Sequence, residues 1–144
     1  MSRSGYSEDG DNWQLICWRG AVTSATKGKR GQAFLKELLV ALEAMPVKEL
    51  IAEELEFNGQ FCALGVIGKA RGIDMSKIEP DEPCQVSKEF NIAKALAQEV
   101  VYMNDEALDW MLSSKPETPE QRWSRMREWV LNQIIHQPPQ SIVG

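Results

Sequence analysis

Apolar residues recur at helical spacing through most of this chain, and the most regular stripe runs from Gln32 to Met45. There Phe34, Leu38, Ala41, Leu42 and Met45 fall on one face, widened by Leu35 and Leu39. Lys36, Glu37 and Glu43 lie outside it, and Pro46 ends or breaks the helix. Upstream, Asp11 or Asn12 can cap a helix in which Trp13, Ile16, Cys17, Gly20, Ala21 and Ser24 share a face. The small residues in the second half of that face would let another backbone approach closely. This helix should stop near Lys27 and Gly28. Val47 to Glu54 predicts a further short helix with Lys48, Glu49, Glu53 and Glu54 facing water.

Asn58-Gly59 is a tight-turn dipeptide between Leu55-Glu56-Phe57 and Gln60-Phe61-Cys62. It suits a minimal β-hairpin and equally a helix-to-helix turn. Ala63 to Arg71 is helical in pattern, with Gly72 as its stop. Gly65 and Gly68 stand three apart on one face and favour close helix packing. Ile73 to Pro83 is a loop. Gln85 to Phe90 and Ile92 to Met103 form two short helices broken near Asn91, and Trp110, Met111 and Leu112 follow the acidic run Asn104-Asp105-Glu106. The last helix starts clearly: Thr118 can cap, Pro119 suits the first helical position and Gln121 completes a capping box. Trp123, Met126, Val130 and Ile134 make its apolar stripe, Trp129 and His136 point to another face, and Pro138-Pro139 terminates it. The pattern predicts a mainly α, compact single-domain helical bundle of about five to seven helices, with one minimal β-hairpin near Asn58-Gly59 if that turn takes its strand form. The domain spans 11–137, with a flexible N-terminus at 1–10 and a flexible tail at 138–144.

Composition narrows the chemistry. A chain of 144 residues that is 43% hydrophobic and 26% charged can bury a core without staples. The net charge of −5 argues against generic nucleic-acid affinity, which comes from phosphate neutralisation by Lys and Arg. Three cysteines (Cys17, Cys62 and Cys84) lack metal spacing and suit free thiols in a reducing compartment. The first eleven residues lack a signal-peptide core, and the longest apolar run, Phe61 to Ile67, is far below membrane length. No membrane association is expected.

Lys27-Gly28-Lys29-Arg30-Gly31 is a basic knot in an acidic chain, placed where a helix begins. Amide groups and positive charge at a helix start attract anions. The knot is not a P-loop: Thr23 stands where the first glycine belongs, Arg30 follows Lys29, and the upstream pattern is helical. It is either a solvated interhelical turn or, with Arg19, an anion or partner-binding site made of Arg19, Lys27, Lys29 and Arg30. Val86 to Met103 has the outline of a helix-turn-helix, with Phe90, Ile92, Leu96 and Val100 or Val101 at buried positions and Asn91 in the turn. Its second helix offers only Lys94 and Gln98 for contact, beside Glu89, Asp105 and Glu106, so a packing pair of helices fits better than a DNA reader. Carboxylates cluster at Glu53, Glu54 and Glu56, at Glu79, Asp81 and Glu82, and at Asp105, Glu106 and Asp109, mostly as solvated faces.

His136 is the only histidine, and it stands at a helix end beside two prolines. A catalytic base needs a rigid shell. Cys62 and Cys84 therefore suit small buried or half-buried roles, and no catalytic residue, metal ligand or cofactor is assigned. Five tryptophans exceed core needs; Trp18 and Trp129 lie off their helices' apolar faces and are candidates for a partner interface.

Several stretches taken together carry a family likeness: Lys29-Arg30-Gly31-Gln32-Ala33-Phe34-Leu35, Cys62-Ala63-Leu64-Gly65, Ala70-Arg71-Gly72-Ile73-Asp74-Met75, Ala97 to Glu106, and Thr118-Pro119-Glu120-Gln121-Arg122-Trp123. From Gly5 to Ile134 the chain resembles a family of small uncharacterised proteins encoded by tailed bacteriophages and prophages. The resemblance implies a bacterial host cytoplasm and brings no catalytic residues. The expectation is a non-enzymatic accessory protein that binds a macromolecular partner, a host or phage protein complex, with a bacterial defence or nucleic-acid-handling machine as its specific form. An acidic binder can occupy a nucleic-acid groove by presenting carboxylates to its Lys and Arg. The competing expectation is a small nucleic-acid-binding regulator, with a dimer or other oligomer as one form, that uses the Arg19, Lys27, Lys29 and Arg30 patch.

Overall fold

The stripe that begins at Phe34 is the centre of the fold. In a computed structural model, residues 12–79, 82–105 and 117–134 are described, with side chains from Ile16 onward. Helix α1 is Asn12–Lys27 and α2 is Lys29–Ala44; a hairpin of β1 (Glu56–Phe57) and β2 (Gln60–Phe61) follows, then α3 (Ala63–Arg71). A short 3-10 turn at Met75–Lys77 leads to α4 (Pro83–Phe90), α5 (Lys94–Asp105) and α6 (Pro119–Gln133). Phe34, Leu35, Leu38 and Leu42 of α2 are buried against α3 and α6, while α5 packs on α1, α3, α4 and α6. One contiguous apolar core results, reaching from Phe34 through Leu64, Ile67 and Phe90 to Met126 and Val130. The chain is therefore mainly α with one minimal antiparallel hairpin, Glu56 opposite Phe61 and Phe57 opposite Gln60.

Local chemistry explains the element ends. Asn58 (φ 51°) and Gly59 (φ 77°) both take left-handed backbone, the turn geometry that matches strand twist. Cys62 caps α3 by accepting from the Gly65 amide at 3.4 Å, and Gly72 closes the helix at φ 73°. Asn91 (φ 55°) ends α4 in the same way. Thr118 Oγ1 accepts from the Gln121 amide at 3.1 Å, and Gln121 Oε1 accepts from the Thr118 amide at 3.0 Å. This is the capping box that the sequence predicts.

Three expectations require correction. Val47 to Glu54 is irregular, not helical: the Leu50 amide donates to Pro119 O at 3.0 Å and the Ile51 amide to Phe61 O at 2.9 Å, so tertiary partners replace the helical ladder. The expected face of α1 is turned outward. Ile16 is 63% exposed, and Cys17, Gly20, Ala21 and Ser24 are exposed with it, whereas Val22 and Thr26 are buried. Both sides of this helix are weakly apolar, so the contacts offered by α2 and α5 decide its rotation. Finally, the close approach at Gly65 and Gly68 involves no second α-helix among the nearest atoms. A Cβ on Gly65 would stand 1.9 Å from Leu55 O, and one on Gly68 would stand 2.5 Å from Met75 Sδ. The expected termini and the Trp110 segment lie outside the described residues.

Candidate functional site

The segment between Pro46 and Cys62 has little regular structure and is held by polar bonds. Leu50 is fully buried, and its carbonyl accepts from Arg122 Nη1 at 3.0 Å. Asn104, at the end of α5 and 1% exposed, is the central tie. Its Nδ2 donates to Ile51 O at 2.9 Å and to Asp105 Oδ1 at 2.7 Å, and its Oδ1 accepts from the Ala63 amide at 3.1 Å. Asp105 Oδ1 also accepts from the Glu53 amide at 3.1 Å. Both ends of the segment thus hang on two adjacent side chains. Beneath them, Arg125 donates to the carbonyls of Met103 and Asn104, satisfying the negative end of α5. The Glu117 carboxylate, 6% exposed, accepts from Arg125 Nε at 2.6 Å and Nη2 at 2.9 Å, and forms an ion pair with Arg122, whose Nε lies 3.2 Å away.

This platform displays Glu53, Glu54, Glu56, Phe57, Asn58 and Gln60, all exposed. Phe57 is 55% exposed beside the two-residue turn. Glu53 has φ 71°, a conformation that costs a non-glycine residue about 1 kcal/mol or more. Its amide bond to Asp105 maintains that backbone. At the base of the hairpin, Lys69 stands over the Phe61 ring, 5.1 Å from its centre. Three carboxylates and an aromatic ring are therefore exposed within five residues of a braced backbone, with Glu56 and Phe57 on opposite faces of β1.

The basic knot forms the corner between α1 and α2. Gly28 precedes α2 and supplies no side-chain cap, and Lys27, Lys29 and Arg30 are all exposed. Gly31 is buried because α2 starts against the end of α1: a Cβ there would lie 1.9 Å from Ala25 O. Gln32 Nε2 donates to Thr26 O at 2.8 Å and to Gln133 O at 2.9 Å, pinning the corner to α6. Arg19 stands eight residues earlier, about 12 Å along the helix axis, and is engaged elsewhere. Its Nη1 donates to Glu99 Oε1 and Oε2 at 3.3 and 3.4 Å, and its guanidinium lies 4.8 Å from the Trp18 ring centre. Of the four cations grouped by sequence, three share the corner and the fourth binds a carboxylate that is 7% exposed. Trp18 and Trp129 are both half-buried, Trp129 against the core.

The pair α4–α5 has the packing expected of a helix-turn-helix, with Val86, Phe90, Ile92, Leu96, Val100 and Val101 buried. Its second helix is nevertheless interior. Glu99 is buried under Arg19, and Lys94 is the one described residue of α5 that is exposed rather than buried or half-buried, so no row of exposed side chains reaches out toward base edges. Glu79 and Glu82 are exposed, while Asp81, Glu106, Asp109 and His136 lie outside the described residues. Cys62 is buried as expected; Cys84 is exposed, as is Cys17. Among the described residues, no group of three or more His, Cys, Asp and Glu is arranged to hold a metal ion. No described helix is long and apolar enough to cross a membrane.

Sequence reasoning missed the Asn104 tie and the display of Phe57. The first has no sequence signal, because an asparagine near a helix end has many local uses. The second has no clean signal either, since the hairpin carries two phenylalanines and only Phe57 is exposed, Phe61 being part of the core. Comparison of the chain with protein-family models, curated proteins and solved structures finds no match.

Proposed function

We propose that the chain is a non-enzymatic accessory protein of tailed phages or prophages that binds a macromolecular partner, using the acid-and-aromatic hairpin as its contact. The specific form is occupation of a basic groove in a host defence or nucleic-acid-handling complex within the bacterial cytoplasm. One observation carries this reading: Glu53, Glu54, Glu56 and Phe57 are exposed together on backbone held by Asn104 and Asp105. Exposed aromatic anchors ringed by charge are the usual centres of protein interfaces, and acidic groups direct them to Lys- and Arg-lined surfaces. The test is affinity capture from infected-cell lysate at low salt, comparing the native chain with F57A and with an E53K/E54K/E56K variant. A stoichiometric protein captured by the native chain and lost with both variants supports the proposal. Equal capture by all three, or none by the native chain, refutes it.

A second reading, a nucleic-acid-binding regulator, is favoured by the uncapped start of α2 among exposed Lys27, Lys29 and Arg30. It requires a salt-sensitive mobility shift that K29A/R30A weakens. No shift at low salt eliminates it.

A further inference from the structure

Helix α1 is attached differently from the rest of the molecule. Among its described side chains only Val22 and Thr26 are buried, and Val22 stands apart from the contiguous core. By contrast, α2 and α3 bury a run of apolar residues in that core. Apart from buried Val22 and half-buried Trp18, the middle of α1 is joined to the rest by a polar pair: Arg19 reaches across to Glu99, whose carboxylate is interior while the guanidinium remains 48% exposed. The last turn of α1 is fixed separately, through Gln32 bonded to Thr26 O and through the absent Cβ of Gly31. Segments with few apolar contacts open locally at a free energy well below that of global unfolding.

We infer that residues 16–24 of α1 form a strap that opens from α5 as a unit while α2 to α6 stay folded, with Arg19 and Glu99 as its latch. The last turn stays docked at the α2 corner and serves as the hinge. Opening delivers Glu99 to water and uncovers the side of α5 that faces α1. Because α5 is the second helix of the α4–α5 pair, the strap is what keeps that side of it interior. This inference is independent of the hairpin proposal, since the latch shares no residue with Glu53 to Gln60.

Native-state hydrogen exchange resolves the matter. The amides of 16–24 should exchange at least about 100-fold faster than those of Leu35 to Leu42. R19A removes the latch at an exposed position and should speed exchange in 16–24 by about fivefold; global unfolding breaks the same contact, so Leu35 to Leu42 should speed by no more than that factor and the gap between the segments should persist. E99Q, which keeps the shape and removes the charge, should act in the same direction, and R19K should restore most of the protection. Exchange of 16–24 in step with Leu35 to Leu42 overturns the inference. So does exchange of 16–24 that R19A leaves unchanged, which would mean that the Arg19–Glu99 pair is not broken when α1 opens.

Discussion

Replacing Asn104 by alanine tests the central structural claim, that a buried amide holds the exposed hairpin segment. The substitution removes the acceptor of the Ala63 amide and the donor to Ile51 O. A buried polar group left without a partner costs about 1–3 kcal/mol. The Ala63 amide is buried, so about 2 kcal/mol is assigned to it; Ile51 is half-buried and water can reach its carbonyl, so about 1 kcal/mol is assigned there. The expected loss is about 3 kcal/mol, which for a domain of this size lowers Tm by about 6–12 °C. Urea denaturation measures the loss, with an unchanged m-value showing that the unfolded state is unaffected. Hydrogen exchange adds the spatial part: amides from Ile51 to Ala63 should lose protection before those of α2. A loss below about 0.5 kcal/mol refutes the assignment of Asn104 as the tie. A normal loss with no preferential loosening of residues 51–63 refutes its link to the hairpin.

Other consequences concern separate parts of the fold. G31A should destabilise by more than about 2 kcal/mol, because its Cβ meets backbone at 1.9 Å, whereas G20A faces open space and should stabilise by about 0.8 kcal/mol; urea melts of the pair decide this. Arg71 hydrogen-bonds Glu37 at 2.5 and 2.9 Å and holds its carboxyl below the ordinary value of 4.5. The folded chain therefore binds that proton less readily than the unfolded chain, and the pair's stabilisation is present above pH 4.5 and lost as pH falls through the lowered value. Because both side chains are about one-third exposed, E37Q should cost only about 0.5 kcal/mol at pH 7, and the difference from the native chain should shrink in acid. A difference that grows in acid would contradict this sign. A thiol reagent should modify Cys17 and Cys84 rapidly in the folded protein and Cys62 only on unfolding, as followed by mass spectrometry; early labelling of Cys62 would contradict its burial.

Most helices were legible because their signals are local. The Phe34 stripe, the capping box at Thr118, the stops at Gly72 and Asn91 and the Asn58-Gly59 turn depend on side chains within a few residues of one another. Val47 to Glu54 misled for the opposite reason. Its polar periodicity suits a helix, but Leu50 and Ile51 find partners at Pro119, Phe61, Arg122 and Asn104, up to 72 residues away. The rotation of α1 was equally illegible, since Ile16 and Val22 are comparable apolar residues and only the positions of α2 and α5 distinguish them.

The candidate sites divide along the same line. Sequence alone determined the mainly helical class, the ends of most elements, the acidic balance and the positions of Lys27, Lys29 and Arg30 at a helix start. These depend on periodicity, capping and composition, which act over one or two turns of chain. Tertiary structure alone decided that Arg19 leaves that cationic group for Glu99, that α5 is interior, and that Asn104 braces an exposed Glu53-to-Phe57 edge. Those outcomes depend on which polar atoms lose water when distant segments meet, and a buried donor or acceptor takes its partner from whatever the packing brings near.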